Sequence, residues 1–290
     1  MAPLRSTAAL LALALCATGC NSQRTGPPGP VSVVASMFPL AELARGVRPP
    51  GRAVRVTDLT PSGAEPHDLE LNSRQVDLLT DADVVVYVSG LQPAVDEVVR
   101  KRTARKDRGV VDVRRGSTDP HVWLDPVHMR KAAGLVESAI RAARSDAPHA
   151  SAFTDEAPAR FRSQLDALHE EFASGLSGCR QKLIVTAHES FGPLAALYGL
   201  RQESISGSGP EAEPDPRRLS ELVDLIRAKG VRTVFTEPGS PDGAAATLAR
   251  EAGVRTAVLD PLEVRPSDDA TYFSVMRRNL GVLREALDCS

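Results

Sequence analysis

The chain has 290 residues, 42% of them hydrophobic and 25% charged, with a formal net charge of -2. This is room for one large domain or two medium ones, each with its own core, and the composition is that of a folded globular protein. The near-neutral balance lacks the basic excess of proteins that bind phosphate backbones, so no nucleic-acid partner is expected.

The first segment is read apart from the fold. Arg5 gives a positive start, and Ala8 to Ala17 form an apolar run of ten residues. A membrane-spanning helix needs about 20 apolar residues, so the run reads as the centre of a secretion signal. Ala17-Thr18-Gly19-Cys20 follows. Small residues before a cysteine at the end of an apolar run resemble a bacterial lipobox, in which the cysteine becomes the lipidated first residue. The sequence thus predicts a signal peptide over 1–19 and an exported chain anchored to the outer face of the cell membrane through Cys20. The alternative is ordinary cleavage that leaves Cys20 free. Residues 20–30 are polar and rich in proline and glycine, which suits a flexible tether. Export exposes the mature chain to oxidising conditions, and of its remaining cysteines there are two, Cys179 and Cys289. The even number and the export signal favour a disulfide between them.

Along the mature chain, strands are predicted at 31–36, 52–59, 83–89 and 109–113, with helices over 39–46, 72–82 and 93–102 between them. Gly46 is read as ending the first helix, and Asn72 as capping the second. Helical stretches follow at 127–144 and 155–176. In the latter Phe161, Leu165, Leu168, Phe172 and Leu176 are spaced by four, three, four and four, one face of an α-helix. Strand–helix alternation then resumes, with strands at 182–187, 202–206, 233–236 and 255–259. One helix is capped by Asp215, and a last one runs over 271–287. The expected fold is α/β: two βα lobes with mostly parallel sheets, residues 31–145 and 179–290, joined by one long rigid helix within 146–178. The chain should be a monomer.

Three of the six histidines stand where strands end. His67 follows the second strand, His121 the fourth, and His188 the segment Lys182–Ala187. Asp260 directly follows the final strand. Ligands of open α/β sheets bind beyond the carboxyl ends of the strands, so these four, two per lobe, should meet in a cleft between the lobes. Imidazole and carboxylate are good zinc ligands, and three histidines with one aspartate would complete a tetrahedron. Pro66, Pro120 and Pro261 stiffen the loops that carry them. Glu65, Asp68, Asp119, Asp125 and Glu189 are available to accept the second ring N–H of a ligating histidine. His128, His149 and His169 are read as solvated or locally hydrogen-bonded, and Trp123 as core packing near the site. Any one histidine at a strand end is more often a turn or packing residue than a ligand; the case rests on the four together.

With these residues in view, the chain resembles the solute-binding lipoprotein receptors of ABC importers for zinc and manganese. The resemblance rests on GAEPHDLEL, DPHVWLDP, TAHESFGPLAALYGL, TEPGSPDGAAATLAREAG and LDPL before a final helix, in that order. It implies two βα lobes, a connecting helix and a metal held between the lobes by His67, His121, His188 and Asp260. It also implies an ABC permease and its ATPase as partners. Members that favour manganese tend to carry a carboxylate where His188 stands, and manganese prefers more oxygen, so Zn(II) is the expected cargo. The His- and acid-rich loop of many zinc members has no counterpart in 101–116, which keeps Mn(II) as the second choice.

A filled ligand shell leaves no position for water or substrate, which points away from an enzyme. The chain has no HExxH and no GxSxG motif. A zinc chaperone and a surface adhesin of the same fold are the other readings.

Overall fold

The computed structural model describes residues 29–49, 53–61, 63–102, 109–143, 156–207, 215–238 and 243–290. The signal segment, Cys20, most of the tether and His149 lie outside the described residues. Among the described residues, no helix is long and apolar enough to cross a membrane.

Two four-stranded sheets form, both wholly parallel. In the first, β1 (Val31–Ala35), β2 (Val54–Asp58), β3 (Val84–Tyr87) and β4 (Gly109–Asp112) lie in the order β2-β1-β3-β4. In the second, β5 (Leu183–Thr186), β6 (Arg201–Ser204), β7 (Thr233–Thr236) and β8 (Arg255–Val258) repeat that order as β6-β5-β7-β8. The predicted α/β class and two-lobed layout are therefore realised.

Strand alternation distributes the apolar residues over both faces of each sheet. On the outer face of the first sheet, Val34 and Val85 pack beneath α2 (Ser73–Asp81) and α3 (Pro93–Arg102) with Leu79, Val95 and Val99. On the outer face of the second, Val185 and Val234 meet Leu222 and Ile226 of α7 (Pro216–Lys229) and Leu248 of α8 (Ala244–Ala252). The inner faces behave differently. Val33 and Val86 of one sheet and Ile184 and Phe235 of the other belong to a single continuous core. Helices α1 (Phe38–Val47), α4 (Pro126–Ala142), α5 (Glu156–Ser177) and α9 (Tyr272–Ala286) also feed it.

Local chemistry places the helix ends. Asn72 and Gln75 form a reciprocal capping box at α2. Asp125 accepts the Val127 and His128 amides at the start of α4, with Pro126 in the first turn. Asp215 caps α7, which ends at left-handed Gly230 (φ 62°). Gly46 departs from expectation. It does not stop α1, which continues to Val47; it lets α1 meet α5, where a Cβ would lie 2.0 Å from Phe161 Cδ2.

Helix α5 is the predicted connector, and all five residues of its stripe are buried. It is no free strut. It packs on α1, on α4 and on α9, where Phe161 meets Phe273 edge-on at 5.3 Å and Glu171 takes Arg277 in a bidentate pair at 2.8 and 2.9 Å. The cysteines that follow α5 and α9, Cys179 and Cys289, are joined in a disulfide across 110 residues. Closing so long a loop removes freedom mainly from the unfolded chain. Replacing both cysteines by serine should lower the unfolding free energy by about 2–4 kcal/mol in urea titrations. A loss near zero would mean that the bridge does not restrain the unfolded chain as its loop length predicts.

Candidate metal centre

The sheet order places the strand ends that carry the candidate residues around one cleft. His67 lies in the loop after β2. His121 opens a 3-10 turn (Val122–Leu124) after β4. His188 lies two residues beyond β5. Their rings converge, with centroids 5.6 Å apart for His67–His121 and His121–His188, and 5.9 Å for His67–His188.

The fourth member of the cluster is Glu263. Its Oε1 lies 3.2 Å from His188 Nε2, 3.3 Å from His67 Nε2 and 3.5 Å from His121 Nε2. The four ligand atoms all fall within 4.8 Å of one another. His121 and His188 are fully buried, and Glu263 is only 3% exposed. His121 Nε2 is buried without a hydrogen-bond partner, an atom aimed at the centre of the cluster.

Asp260, expected as the fourth ligand, is not brought into this group. Its Oδ1 accepts the Leu262 amide at 2.8 Å. Its own backbone is clamped by Asn279, which accepts the Asp260 amide at 3.0 Å and donates to its carbonyl at 2.6 Å. The resulting turn holds Leu262 in the left-handed region, φ 60°, and delivers Glu263 into the cluster. Asp260 shapes the loop, and Glu263, three residues on with one more methylene, reaches the centre. Burial pushes the Asp260 carboxyl up to about 6, opposed by the Leu262 amide and Arg278 and reinforced by Glu263 and Glu237. A rule that takes the first carboxylate after a strand finds Asp260; reading one turn further finds Glu263.

Outer carboxylates orient two of the rings. Asp119 Oδ1 accepts from His121 Nδ1 at 3.1 Å and from its backbone amide at 2.8 Å. Glu237, just past β7, accepts from His188 Nδ1 at 2.7 Å. Both contacts leave Nε2 facing the cluster. Of the five carboxylates named from sequence, Asp119 has this role, Asp125 caps α4, and Glu65 accepts the His67 amide at 3.2 Å. Glu237 was not among them, because nothing local in the sequence links it to His188. His128 and His169, expected to be solvated or locally hydrogen-bonded, are half-buried and bond to partners more distant in sequence, the Val113 carbonyl (2.6 Å) and Tyr198 Oη (3.2 Å).

The electrostatics follow from two carboxylates flanking His188. Burial alone would drive its proton off, but the hydrogen bonds and charges of Glu237 and Glu263 outweigh burial and push its pKa up to about 10. Burial works against ionised Glu263 as well, yet His188 and His67 pull it down to about 2. The cluster therefore holds a buried anion and a proton where a cation could sit.

This fold and this site define a two-lobed protein with a nitrogen-rich metal-ligand cage in its interlobe cleft. The model of the family described as zinc-uptake complex component A, periplasmic (ZnuA) matches residues 33–286, and the chain belongs to that family. The zinc-binding lipoprotein AdcA of Streptococcus pneumoniae is 31% identical over an alignment that covers 96% of this chain and 60% of that protein. The chain thus spans about 60% of the length of such relatives. Among solved structures, the Zn(II)-bound ZnuA-like domain of S. pneumoniae AdcA superposes with a TM-score of 0.76 at 32% identity, covering 90% of this chain and 100% of that one. The laminin-binding protein Lmb of Streptococcus agalactiae, described as a bifunctional adhesin and metal transporter, gives 0.78 at 31% identity, covering 89% and 99%.

A cation that takes His188 Nε2 must displace the proton held there below about pH 10. Binding should release that proton, and affinity should rise between pH 6 and 9 by up to about tenfold per unit. Calorimetry in buffers of different ionisation enthalpy reads the proton directly. An affinity independent of pH over this window would contradict the protonated cluster.

Proposed function

We propose that this protein is an extracytoplasmic receptor that captures Zn(II) between its lobes and delivers it to an ABC importer. The ligands in this reading are His67, His121, His188 and Glu263. The lobes are 31–145 and 179–290, with the connecting helix in 146–178, and Cys20 is the lipid anchor. The permease and ATPase are the partners, and the receptor itself acts as a monomer.

One observation carries the reading. Zinc bonds of about 2.0–2.1 Å in a tetrahedron set ligand atoms about 3.3–3.4 Å apart. The three edges from Glu263 Oε1 measure 3.2, 3.3 and 3.5 Å. Three nitrogens stand at about that spacing from one oxygen, and all four atoms lie within 4.8 Å of one another; such a nitrogen-rich donor set suits zinc, whereas manganese favours oxygen-rich octahedral shells. With all four corners supplied by protein, no place is left for a water or substrate, which supports a carrier over a hydrolase. The AdcA relative carries the name lipoprotein, which supports the anchor. Adhesion is the second reading, favoured by the description of Lmb as adhesin and metal transporter.

The ion would enter past His67. Its side chain is 13% exposed, whereas those of His121 and His188 are fully buried. The shared core around α5 resists a wide hinge, so closure would be small and centred on the loops.

The test is a titration of metal-stripped protein with zinc in competition with manganese. One zinc per chain should bind with clear preference. His188→Ala and Glu263→Gln should each weaken zinc by at least about tenfold. Asp260→Asn, which keeps an Oδ1 acceptor for Leu262, should stay within about threefold of wild type. A large loss in Asp260→Asn with none in Glu263→Gln would restore Asp260 as the ligand. Manganese preference would change the cargo, and tight binding of neither would sink the receptor reading.

A further inference from the structure

The loop that carries Glu263 belongs in sequence to the second lobe, yet it is fastened to the first. Trp123, the sole tryptophan of the chain, is fully buried in the 3-10 turn that follows His121. Its indole Nε1 donates to the Pro261 carbonyl at 2.7 Å. Its own carbonyl accepts from Tyr272 Oη, at the start of α9, at 2.8 Å. Its ring meets the His121 ring edge-on, with centroids 5.2 Å apart. Trp123 therefore touches one metal-ligand candidate directly and grips both ends of the loop that presents another, Pro261 before Glu263 and Tyr272 after it.

The same loop has a weaker fastening on α1. Arg265 reaches Glu42 at 3.3 Å and lies over the Phe38 ring, 4.4 Å from its centroid. That contact is partly solvated. The Trp123 contacts are not, and a buried carbonyl that loses this donor must either find another or move. The Pro261 carbonyl lies in the turn whose left-handed Leu262 sets the direction of Glu263. Displacement there changes the position of the carboxylate.

We infer that Trp123 is a positioning residue that couples the two lobes at the metal site, holding the Glu263 carboxylate in register with His121 through the Pro261 and Tyr272 hydrogen bonds. This inference rests on the zinc-receptor reading and adds the element that fixes the ligands of the two lobes relative to each other. Outer contacts of this kind typically govern metal affinity by 10–100-fold.

The experiment is a double-mutant cycle read by zinc affinity, using competition with a chromogenic chelator on the whole chain. Trp123→Phe keeps an aromatic ring beside His121 and removes the N–H donor. Tyr272→Phe removes the second hydrogen bond by deleting one oxygen. Each is made alone and on the Glu263→Gln background, with folding checked by far-UV circular dichroism. Trp123→Phe should weaken zinc about tenfold in the wild-type background and less than threefold beside Glu263→Gln, because the carboxylate it positions is already gone. Tyr272→Phe should follow the same pattern with a smaller loss. A loss under threefold in the wild-type background, or an equal loss in both backgrounds, overturns the inference, since general loosening of the core would act additively. If Trp123→Phe does not fold, Tyr272→Phe decides by the same criterion. Failure of wild-type protein to bind zinc would instead remove the receptor reading, so the two failures are distinct. The tryptophan also reports on itself: its fluorescence should change on zinc binding to the wild-type protein, and an unchanged spectrum at saturation would contradict its coupling to His121.

Discussion

The buried carboxylate of Glu263 organises this molecule. A lone ionised acid at 3% exposure would be costly, and here three imidazole nitrogens within 3.5 Å surround it. Removing it would leave three histidines with no anion among them. Keeping it creates a standing demand for positive charge at the centre, met by a proton on His188 or by a metal ion. Glu237 and Asp119 add to that demand from outside while they turn the Nε2 atoms inward. The cage is thus built to attract a cation before one arrives.

Its precision depends on how the lobes are joined. Two parallel sheets of identical order would, if linked by a flexible segment, present their strand ends at variable distance. Here their inner faces share one core with α1, α4, α5 and α9. Close contact at Gly46, the Glu171–Arg277 pair and the Cys179–Cys289 bridge fix α5 against both sides. The cleft width is then set by packed side chains, and interiors at native density resist continuous deformation. Mobility is left to the loops, of which the His67 loop bears the least buried ligand candidate.

The family relationship and the local chemistry are separate grounds for the proposed zinc cargo. One is the likeness of 90–96% of the chain to zinc-binding proteins of streptococci. The other is a set of distances among four atoms of this chain. The second ground also points to a carboxylate outside the motif: LDPL directs attention to Asp260, while Glu263, one residue beyond it, clusters with the three histidines.

Much was legible in the sequence because it depends on short-range rules. Alternating β-branched runs mark the strands, the four-three-four-four stripe marks α5, and Asn72 and Asp215 mark helix starts. Three of the four cage residues were legible too, since His67, His121 and His188 each follow a strand and parallel sheets gather their carboxyl ends. The rest belongs to tertiary structure. Glu263 rather than Asp260 joins the cluster because Asn279 of α9 clamps the Asp260 backbone and a left-handed Leu262 turns the chain between them. Glu237 meets His188 across 49 residues through the pairing of β5 with β7. Trp123 looks like core packing until Pro261 and Tyr272 are placed beside it. Sequence by itself determined which residue types and elements were available, because propensity and capping act within a few residues. Which carboxylate faces the metal centre was decided only by the folded chain, because that choice depends on hydrogen bonds between segments far apart in sequence.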